Sequence, residues 1–355
     1  MQRNEPPAGA VMTLRFAEAF DALVQDRFDA ELARQSFDAI FAGAWNPAQI
    51  AGFLTSLRMR DDRAEVIAAA AQAMRAVMLP VTHDHQRLLD TCGTGGDGSG
   101  SLNLSTGAAL MCAAAGVPVA KHGNRAASSQ SGSADVLEAL GIPLQLSADA
   151  AARVLSDVGI TFMLAPTHHP AMRFAGPVRK ELGVRTIFNC LGPLANPARA
   201  THQLLGAYSD HLRPQLARTL QQLGSVRAWV VWGQDGLDEI SPFGPTNVTQ
   251  LSDGALSELC VTPRDFGLEI SPAGATRGGD AEHNAKVMRL VLAGEPHPSR
   301  DAFLLNAAAA LVVATGSTPP EALALAVKTI ESGAALHKLE AWREAALKRA
   351  PQTQS

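Results

Sequence analysis

The chain has 355 residues, of which 46% are hydrophobic and 18% are charged, and its formal net charge is −4. This composition excludes a disordered protein, and the charge argues against one that acts on nucleic acid or on an anionic membrane. No apolar stretch reaches the ~20 residues of a membrane span, and four cysteines without metal-ligand spacing indicate a reducing compartment, so we expect a cytoplasmic protein.

The chain up to residue 82 is predicted to form a small helical domain. Apolar residues recur at spacings of three and four, with Asp or Asn near several starts. The predicted helices are 12–25, 29–42, 46–58 and 61–77. No convincing strand interrupts them.

From residue 88 onward, short strand-like runs alternate with helical ones. The predicted strands are 88–91, 118–121, 161–164, 203–207 and 228–232, and the predicted helices are 106–115, 134–140, 214–223, 281–292 and 301–313. Such alternation requires crossover connections, so the predicted fold class is α/β with a mostly parallel central sheet flanked by helices. We expect this larger domain to span 83–169 and 193–349, with residues 170–192 joining the helical domain and 350–355 forming a tail.

A glycine-rich loop follows the first predicted strand. Five glycines stand between positions 93 and 100, and an apolar helix opens shortly after them, with Ser105 expected at its N-cap. Glycine lets backbone N–H groups approach an anion closely, and a helix N-terminus favours negative charge. Strand, loop and helix together predict a pyrophosphate site.

Other interpretations of this loop are weaker. Gly93, Gly95 and Gly98 match the GxGxxG pattern of dinucleotide-binding proteins. In such a fold an acidic residue binds the ribose, but here the second strand ends in Lys121-His122. A P-loop is excluded because no Gly-Lys-Ser/Thr sequence closes the loop. A glycine-rich turn that binds nothing remains an alternative.

A second polar loop follows the second predicted strand, over residues 121–135. It holds Lys121, His122, Asn124, Arg125 and four serines. Such side chains donate hydrogen bonds to phosphate oxygens, and open α/β sheets bind ligands where parallel strands end. We therefore expect this loop to share the phosphate site, although an ordinary polar loop is the alternative for each serine taken singly.

The adjacent carboxylates of Asp238 and Glu239 follow the fifth predicted strand. They repel each other unless a cation lies between them, and oxygen ligands of this kind suit a hard ion such as Mg²⁺. An acidic dipeptide on a surface turn is the alternative, but a nearby pyrophosphate site favours the metal.

Several segments together resemble the anthranilate phosphoribosyltransferase family of tryptophan biosynthesis, namely 93–106, 121–141, 169–197, 233–241 and 278–310. The Lys-His-Gly-Asn-Arg run at 121–125 is a highly specific part of this resemblance. It implies a small helical domain beside a larger α/β domain, and a homodimer that joins anthranilate to phosphoribosyl pyrophosphate (PRPP) with two Mg²⁺ ions per subunit. It implies no nucleic-acid or membrane partner.

The resemblance also implies site residues, position by position. The PRPP site falls on Gly93, Gly96, Asp97, Ser101, Asn103, Leu104, Ser105, Thr106, Lys121, His122, Gly123, Asn124, Arg125, Ala126, Ala127, Ser128, Ser129 and Ser133. The metal ligands fall on Ser105, Asp238 and Glu239. The anthranilate contacts fall on Gly93, Asn124 and Arg179, with His122, His169, Gly192 and Pro193 lining the approach. Catalysis is assigned to Asp238, Glu239, Lys121 and Asn124.

Arg179 is the candidate for the anthranilate carboxylate, since a guanidinium binds a carboxylate through two parallel hydrogen bonds. Pro177 and Gly183 are expected to start and stop the short helix around it. A solvated helix face shared with neighbouring basic residues is the alternative. Asn306, inside an alanine-rich helix, is interpreted as a buried packing or capping group and not as a ligand.

Two positions depart from the family pattern. Ser101 stands where the family usually has threonine, and Trp232 stands where histidine is frequent. Neither change removes a group that the chemistry needs. Two other functions remain as alternatives: a nucleoside phosphorylase of the same fold, and a non-catalytic relative that binds nucleic acid.

Overall fold

The structure is a computed structural model that describes residues 13–60, 63–126 and 130–351. Its helices are α1 (Phe16–Val24), α2 (Ala30–Phe41), α3 (Pro47–Arg60), α4 (Ala64–Ala76), α5 (Leu104–Ala114), α6 (Ser133–Ala139), α7 (Ala148–Val158), α8 (Ala165–His168), α9 (Gly176–Leu182), α10 (Phe188–Leu194), α11 (Leu212–Gln222), α12 (Pro263–Phe266), α13 (Ala281–Leu292), α14 (Arg300–Thr315), α15 (Pro319–Glu331) and α16 (Ala334–Leu347). Its strands are β1 (Leu89–Gly93), β2 (Val119–Gly123), β3 (Ile160–Leu164), β4 (His202–Gly206), β5 (Arg227–Gly233), β6 (Thr246–Ser252) and β7 (Ala255–Val261). The predicted starts at residues 12 and 61, and most of the predicted tail, lie outside the described residues.

The helices α1–α4 form a small bundle, as predicted. The Asp29 carboxylate caps α2 by accepting a hydrogen bond from the Leu32 N–H at 2.9 Å. Inside the bundle the Phe37 ring makes edge contacts with the rings of Phe53 and Phe188, at 5.8 and 5.7 Å between centroids. Because Phe188 belongs to α10, the later segment packs directly on the N-terminal helices.

The seven strands form one sheet in the order β3-β2-β1-β4-β5-β6-β7, in which the first five strands are parallel. The predicted α/β class with a mostly parallel sheet is therefore confirmed. Chain order runs outward from β1 to β3 on one side and then resumes at β4 on the other side of β1. This reversal makes the carboxyl ends of β1 and β4 the switch point at which open α/β sheets bind ligands.

Side chains alternate between the two faces of the sheet, as the strand period of two requires. On β4, Leu204 packs in the core beneath α5 and α14, whereas Leu205 packs in the core shared with α1–α4, α10 and α11. On β5, Trp229 likewise packs in the first of these cores and Val230 in the second. The parallel part of the sheet is thus covered on both faces, which leaves its strand ends open to ligands.

Several elements were not predicted. The strands β6 and β7 form an antiparallel hairpin closed by Asp253 and Gly254, whose φ angles are 52° and 74°. An Asp-Gly pair between alternating runs is a known hairpin pattern, and it would have identified this edge of the sheet. The helices α7, α15 and α16 were also missed. The N-cap prediction at Ser105 was wrong, because α5 already begins at Leu104 with Asn103 as its N-cap.

Of the helices described, none alone is long and apolar enough to cross a membrane. The helices α14 and α15 together reach that length and composition, but they bend by 117° at their junction.

His202, at the start of β4, is buried, and burial together with the cations Arg87 and Arg227 lowers its pKa to about 4. In the unfolded chain His202 binds a proton with a pKa near 6.5, whereas in the folded chain it stays neutral until the pH approaches 4. We expect the contribution of His202 to stability to be complete above pH 6.5 and to fall by about 1–2 kcal/mol between pH 7 and pH 5.

Urea unfolding at pH 7 and pH 5 tests this expectation for the wild type and His202→Asn. The variant should lose less stability than the wild type on acidification, whereas replacement of the exposed His337 by Asn should leave the difference unchanged. Equal acid losses in the wild type and His202→Asn would contradict the burial argument.

Candidate functional site

The candidate site lies at the switch point between β1 and β4. Their last residues, Gly93 and Gly206, are paired in the sheet register. The segment after β5 folds back across both strand ends, so a Cβ at Gly206 would lie 1.6 Å from the Asp238 carbonyl oxygen. A Cβ at Gly93 would lie 2.5 Å from Asp238 Oδ2. At Gly206 the overlap is with backbone, so only glycine there allows the acidic segment to approach the strand end this closely.

The two carboxylates of the acidic pair each accept a hydrogen bond from the glycine-rich side of the crevice. The Gly95 N–H donates to Asp238 Oδ2 at 2.9 Å, and the Ser105 N–H donates to Glu239 Oε1 at 3.2 Å. Burial and the nearby Asp97 carboxylate raise the pKa of Asp238 to about 7. Burial and Asp238 raise the pKa of Glu239 to about 8. This concentration of negative charge favours a bound cation.

Lys121 supplies a buried positive charge beside the acidic pair. Its side chain is 1% exposed, and Nζ donates to the Thr91 carbonyl and, at 3.2 Å, to Ser105 Oγ. Burial lowers the pKa of Lys121, and the carboxylates of Asp90 and Glu239 counteract that effect. The Lys121 ammonium therefore lies close to the carboxylates of Asp90 and Glu239 and to the first turn of α5.

A buried polar network beneath the second loop was missed by sequence reasoning. Asp90 Oδ1 accepts the His122 N–H at 3.2 Å, and Oδ2 accepts Asn196 Nδ2 at 2.8 Å. The same Asn196 amide donates to the Ala120 carbonyl at 2.8 Å. Burial raises the pKa of Asp90 to about 6. Asp90 stands inside an apolar strand, and a polar residue buried in a strand was the available sign of such a network.

The segment before α13 packs along the glycine-rich loop and forms one side of the crevice. The Leu102 N–H donates to the Thr276 carbonyl at 2.8 Å, and the Gly278 N–H donates to the Gly100 carbonyl at 2.9 Å. On the same side, Asn284 Nδ2 donates to Asn103 Oδ1 at 3.0 Å. The loop residues predicted from the resemblance, which include Gly96, Asp97, Ser101 and Asn103, are thus brought together around the start of α5, where Leu104, Ser105 and Thr106 form the first turn.

The loop is also joined to the segment between α9 and α10. The Arg185 guanidinium donates to the Gly96 carbonyl and lies 4.5 Å from the centre of the Tyr208 ring. The Arg185 carbonyl accepts a hydrogen bond from Arg58 at 2.9 Å. Arg185 thus links the glycine-rich loop to α3, a contact that its sequence context did not reveal.

The second loop begins at Gly123, the last residue of β2, and passes through Asn124, Arg125 and Ala126 to Ser133 at the start of α6. The Arg125 guanidinium is paired with Glu138, at 2.7 Å between Nη2 and Oε1, and it also contacts Asp135. The predicted residues Ala127, Ser128 and Ser129 lie outside the described residues.

Two histidines form a neutral wall toward α10. His122 Nδ1 lies 2.9 Å from the Gly192 carbonyl, and the Nε2 atoms of His122 and His169 lie 3.2 Å apart. Burial lowers the pKa of His122 well below its usual value and that of His169 to about 4. His168 points the other way, toward the Leu79 carbonyl, so the two adjacent histidines diverge. Gly192 and Pro193, both in α10, complete this wall.

Arg179 lies on α9, and Gly183 ends that helix with φ of 61°, as predicted. Its guanidinium carbon is 5.1 Å from the centre of the Phe188 ring, and burial lowers its pKa. Within the described part of the chain, no carboxylate pairs with this half-buried cation. Its role as a ligand for an anion stays a prediction.

No group of three or more His, Cys, Asp or Glu side chains within the described ranges is arranged as a complete metal site. The donors that the structure brings together are the Asp238 and Glu239 carboxylates and Ser105, whose N–H donates to Glu239 and whose hydroxyl accepts from Lys121. These are oxygen ligands, which suit Mg²⁺ when a phosphate ligand completes the coordination.

Comparison with known proteins agrees with this geometry. Family models described as the α/β domain and the helical bundle domain of a glycosyl transferase family match residues 85–336 and 22–78. The anthranilate phosphoribosyltransferase of Rhodopseudomonas palustris (strain BisA53) is 50% identical over 308 residues, which cover 86% of this chain and 91% of that protein. The anthranilate phosphoribosyltransferase of Moorella thermoacetica is 49% identical over 310 residues, which cover 87% of this chain and 91% of that protein.

Solved structures of the same name share the fold. The anthranilate phosphoribosyltransferase of Thermus thermophilus has a TM-score of 0.87 and 41% identity, covering 93% of this chain and 99% of its own. The Saccharomyces cerevisiae protein in complex with PRPP and Mg has a TM-score of 0.86 and 29% identity, covering 94% and 98%. Since identity near 50% extends over most of the chain and the fold agrees with solved members, this chain belongs to the anthranilate phosphoribosyltransferase family of enzymes.

Proposed function

We propose that this enzyme transfers the phosphoribosyl group of PRPP to the amine of anthranilate, releasing pyrophosphate, the second step of the tryptophan branch. One observation supports this most strongly: the acidic pair packs against the glycine-rich loop and the first turn of α5 at the sheet's switch point. Backbone N–H donors, a buried lysine and paired carboxylates there suit a sugar pyrophosphate that binds with a divalent ion. The complex of the yeast relative with PRPP and Mg points the same way.

In this proposal the pyrophosphate lies along the glycine-rich loop, from Gly93 to Thr106, and the second loop from Lys121 to Ser133 donates to the remaining phosphate oxygens. The N-terminal partial charge of α5 and the Lys121 ammonium favour the anion. Asn124, exposed at the end of β2, would lie beside the ribose and the incoming amine.

The oxygen donors Asp238, Glu239 and Ser105 fit Mg²⁺, because the carboxylates are adjacent, half-buried and repel each other. We propose that these three residues are the metal ligands and that each subunit binds two ions. When bound, Mg²⁺ would neutralise charge that develops on the departing pyrophosphate.

The chemistry requires the bond between ribose C1 and the pyrophosphate oxygen to break, with its electron pair leaving on that oxygen. A C1–N bond to the amine forms on the opposite face through an oxocarbenium-like state, and the amine then releases a proton. Anthranilate's amine is neutral and attacks directly, so the site needs no strong general base. The chain's own contribution is to hold both reactants in line and to stabilise the leaving charge with preorganised N–H groups.

The acceptor would bind between the α/β domain and the helical domain, the latter formed by residues 1–82 with 170–192. Arg179 would bind the anthranilate carboxylate, while Gly93, Asn124, His122, His169, Gly192 and Pro193 would line its approach. A relative from Saccharomyces cerevisiae has been solved with 4-fluoroanthranilate, at a TM-score of 0.85 and 28% identity. We further propose a cytoplasmic homodimer.

Loss of anthranilate fluorescence on addition of PRPP tests the proposed function. We expect the loss to require Mg²⁺ and to release one pyrophosphate per anthranilate consumed. Omission of Mg²⁺, or replacement of PRPP by ribose 5-phosphate, should abolish the reaction. Phosphorolysis of thymidine or uridine, with no turnover of PRPP, would instead favour a nucleoside phosphorylase.

We expect Arg179→Ala to raise the KM for anthranilate by at least ~10-fold and to leave the KM for PRPP nearly unchanged, because only the acceptor loses a charged hydrogen-bond partner. Steady-state kinetics with each substrate varied in turn measures both constants. Arg173→Ala is the matched control, since Arg173 lies 4.5 Å from the Phe174 ring in the same segment but is exposed. Unaltered anthranilate kinetics in Arg179→Ala would show that the assignment is wrong.

A further inference from the structure

Asn306 is a buried amide in the middle of α14, among apolar neighbours such as Leu305 and Ala307. Its Oδ1 accepts the Ile240 N–H at 3.0 Å, and its Nδ2 donates to the Ile240 carbonyl at 3.1 Å. Nδ2 also donates to the Ala302 carbonyl at 3.0 Å. The interpretation of Asn306 as a buried packing group is therefore confirmed, and two of its three hydrogen bonds join the backbone of Ile240, 66 positions away.

That partner directly follows the acidic pair. Ile240 is 0% exposed, so both of its backbone polar groups would be buried without a hydrogen bond if Asn306 were absent. The two hydrogen bonds fix the peptide group that joins Glu239 to Ile240 and the peptide group that joins Ile240 to Ser241. Within the acidic pair, the Asp238 carbonyl oxygen lies against the end of β4, where a Cβ at Gly206 would be 1.6 Å from it. The segment 238–240 is thus fixed by hydrogen bonds to an amide from α14 and packs closely against a strand end.

We propose that Asn306 is a positioning residue for the acidic pair. By fixing the Ile240 backbone from within the core, it keeps the carboxylates of Asp238 and Glu239 aimed at the glycine-rich loop and the first turn of α5. Asn306 touches no substrate; it acts through the backbone. The inference rests on the proposed function, because it is the divalent ion of the PRPP complex that this placement serves.

The test measures metal binding directly. The electron paramagnetic resonance signal of free Mn²⁺ gives the Kd of Mn²⁺ for the full-length protein in the presence of PRPP. Asn306→Asp keeps an acceptor for the Ile240 N–H but loses both donated hydrogen bonds. Asn306→Leu removes all three hydrogen bonds and keeps the branching and the number of heavy atoms of the side chain. Since an added negative charge would by itself tighten cation binding, weaker Mn²⁺ binding by Asn306→Asp identifies misplacement of the carboxylates.

Thr219→Val is the matched control. Thr219 is buried on α11, where its hydroxyl donates to the Gln215 carbonyl at 2.8 Å and lies 3.2 Å from the Ala64 carbonyl oxygen. Its replacement removes hydrogen bonds from the core without touching the acidic pair. Hydrogen exchange at the Ile240 amide provides a second measurement that needs no metal, and Asn306→Asp carries the test if Asn306→Leu does not fold.

We expect the Asn306 variants to raise the Kd of Mn²⁺ by about tenfold and to accelerate exchange at Ile240 by a similar factor, while Thr219→Val changes neither. A folded Asn306→Asp protein with wild-type Mn²⁺ affinity would overturn the proposal, even if exchange at Ile240 were faster, because the role would then be structural only. A wild-type protein that binds no Mn²⁺ with PRPP would overturn the proposed function, and the inference with it.

Discussion

We expect Glu239→Gln to lower kcat by about 10²-fold or more, because it removes one charge from the pair that would hold the divalent ion. The substitution is nearly isosteric, and the new amide oxygen can still accept the Ser105 N–H that Glu239 accepts at 3.2 Å. The backbone arrangement around α5 should therefore survive. What is lost is the anionic ligand alone.

The same substitution should leave the unfolding free energy unchanged or raise it. Glu239 and Asp238 are adjacent and repel each other, and burial makes their charges costly, which is why the pKa of Glu239 rises to about 8. An amide removes that repulsion. A variant that is as stable as the wild type but nearly inactive would separate a catalytic role from a structural one.

Steady-state kinetics at saturating PRPP, anthranilate and Mg²⁺, together with urea unfolding, measures both effects of Glu239→Gln. Glu331→Gln on α15 is the control, since Glu331 is exposed and outside the crevice. Activity of Glu239→Gln within a few-fold of the wild type would contradict the assignment of Glu239 to the metal.

A second large effect is expected for Gly206→Ala. The added Cβ would lie 1.6 Å from the Asp238 carbonyl oxygen and 2.5 Å from the Asp238 carbonyl carbon. Both are backbone atoms, so no side-chain rotation relieves the overlap and the acidic segment must move away from the end of β4. We expect a loss of kcat of about 10²-fold or more and a loss of stability of about 1–3 kcal/mol.

Kinetics and thermal unfolding of Gly206→Ala, with Gly244→Ala beside it, check this expectation. Gly244 lies in the loop that follows the acidic pair, and a Cβ there would meet no atom within 4 Å. The control should therefore retain activity. If Gly206→Ala were as active as the control, activity would not depend on the close approach of Asp238 to the strand end.

The sequence identified the groups whose chemistry is visible in the residue type and its spacing. Dense glycines before a helix predicted an anion site, and Asp238 next to Glu239 predicted a cation site. The parallel sheet followed from alternating periodicities, because strand and helix place their apolar residues at different intervals. The helix cap was less reliable: Ser105 was predicted as the N-cap of α5, but Asn103 occupies that position, which both residue types favour.

The groups that sequence reasoning missed act through contacts between distant positions. Gly206 is an unremarkable strand glycine until the return of the chain brings Asp238 against it. Asp90 and Asn196 are 106 positions apart, and their hydrogen bond appears only when β1 and the segment after α10 are packed together. A single sequence records which residues are polar, but it does not record which polar groups share a buried space.

The amino-acid sequence alone thus determined the two lobes, the fold class and the kinds of charge that meet at the site, since these depend on composition and on short-range periodicity. Only the tertiary structure decided how the acidic pair is held, through a glycine at the end of β4 and an amide from α14. The reason is physical: close approach and buried hydrogen bonding depend on atomic positions that arise when segments far apart in the chain pack against one another.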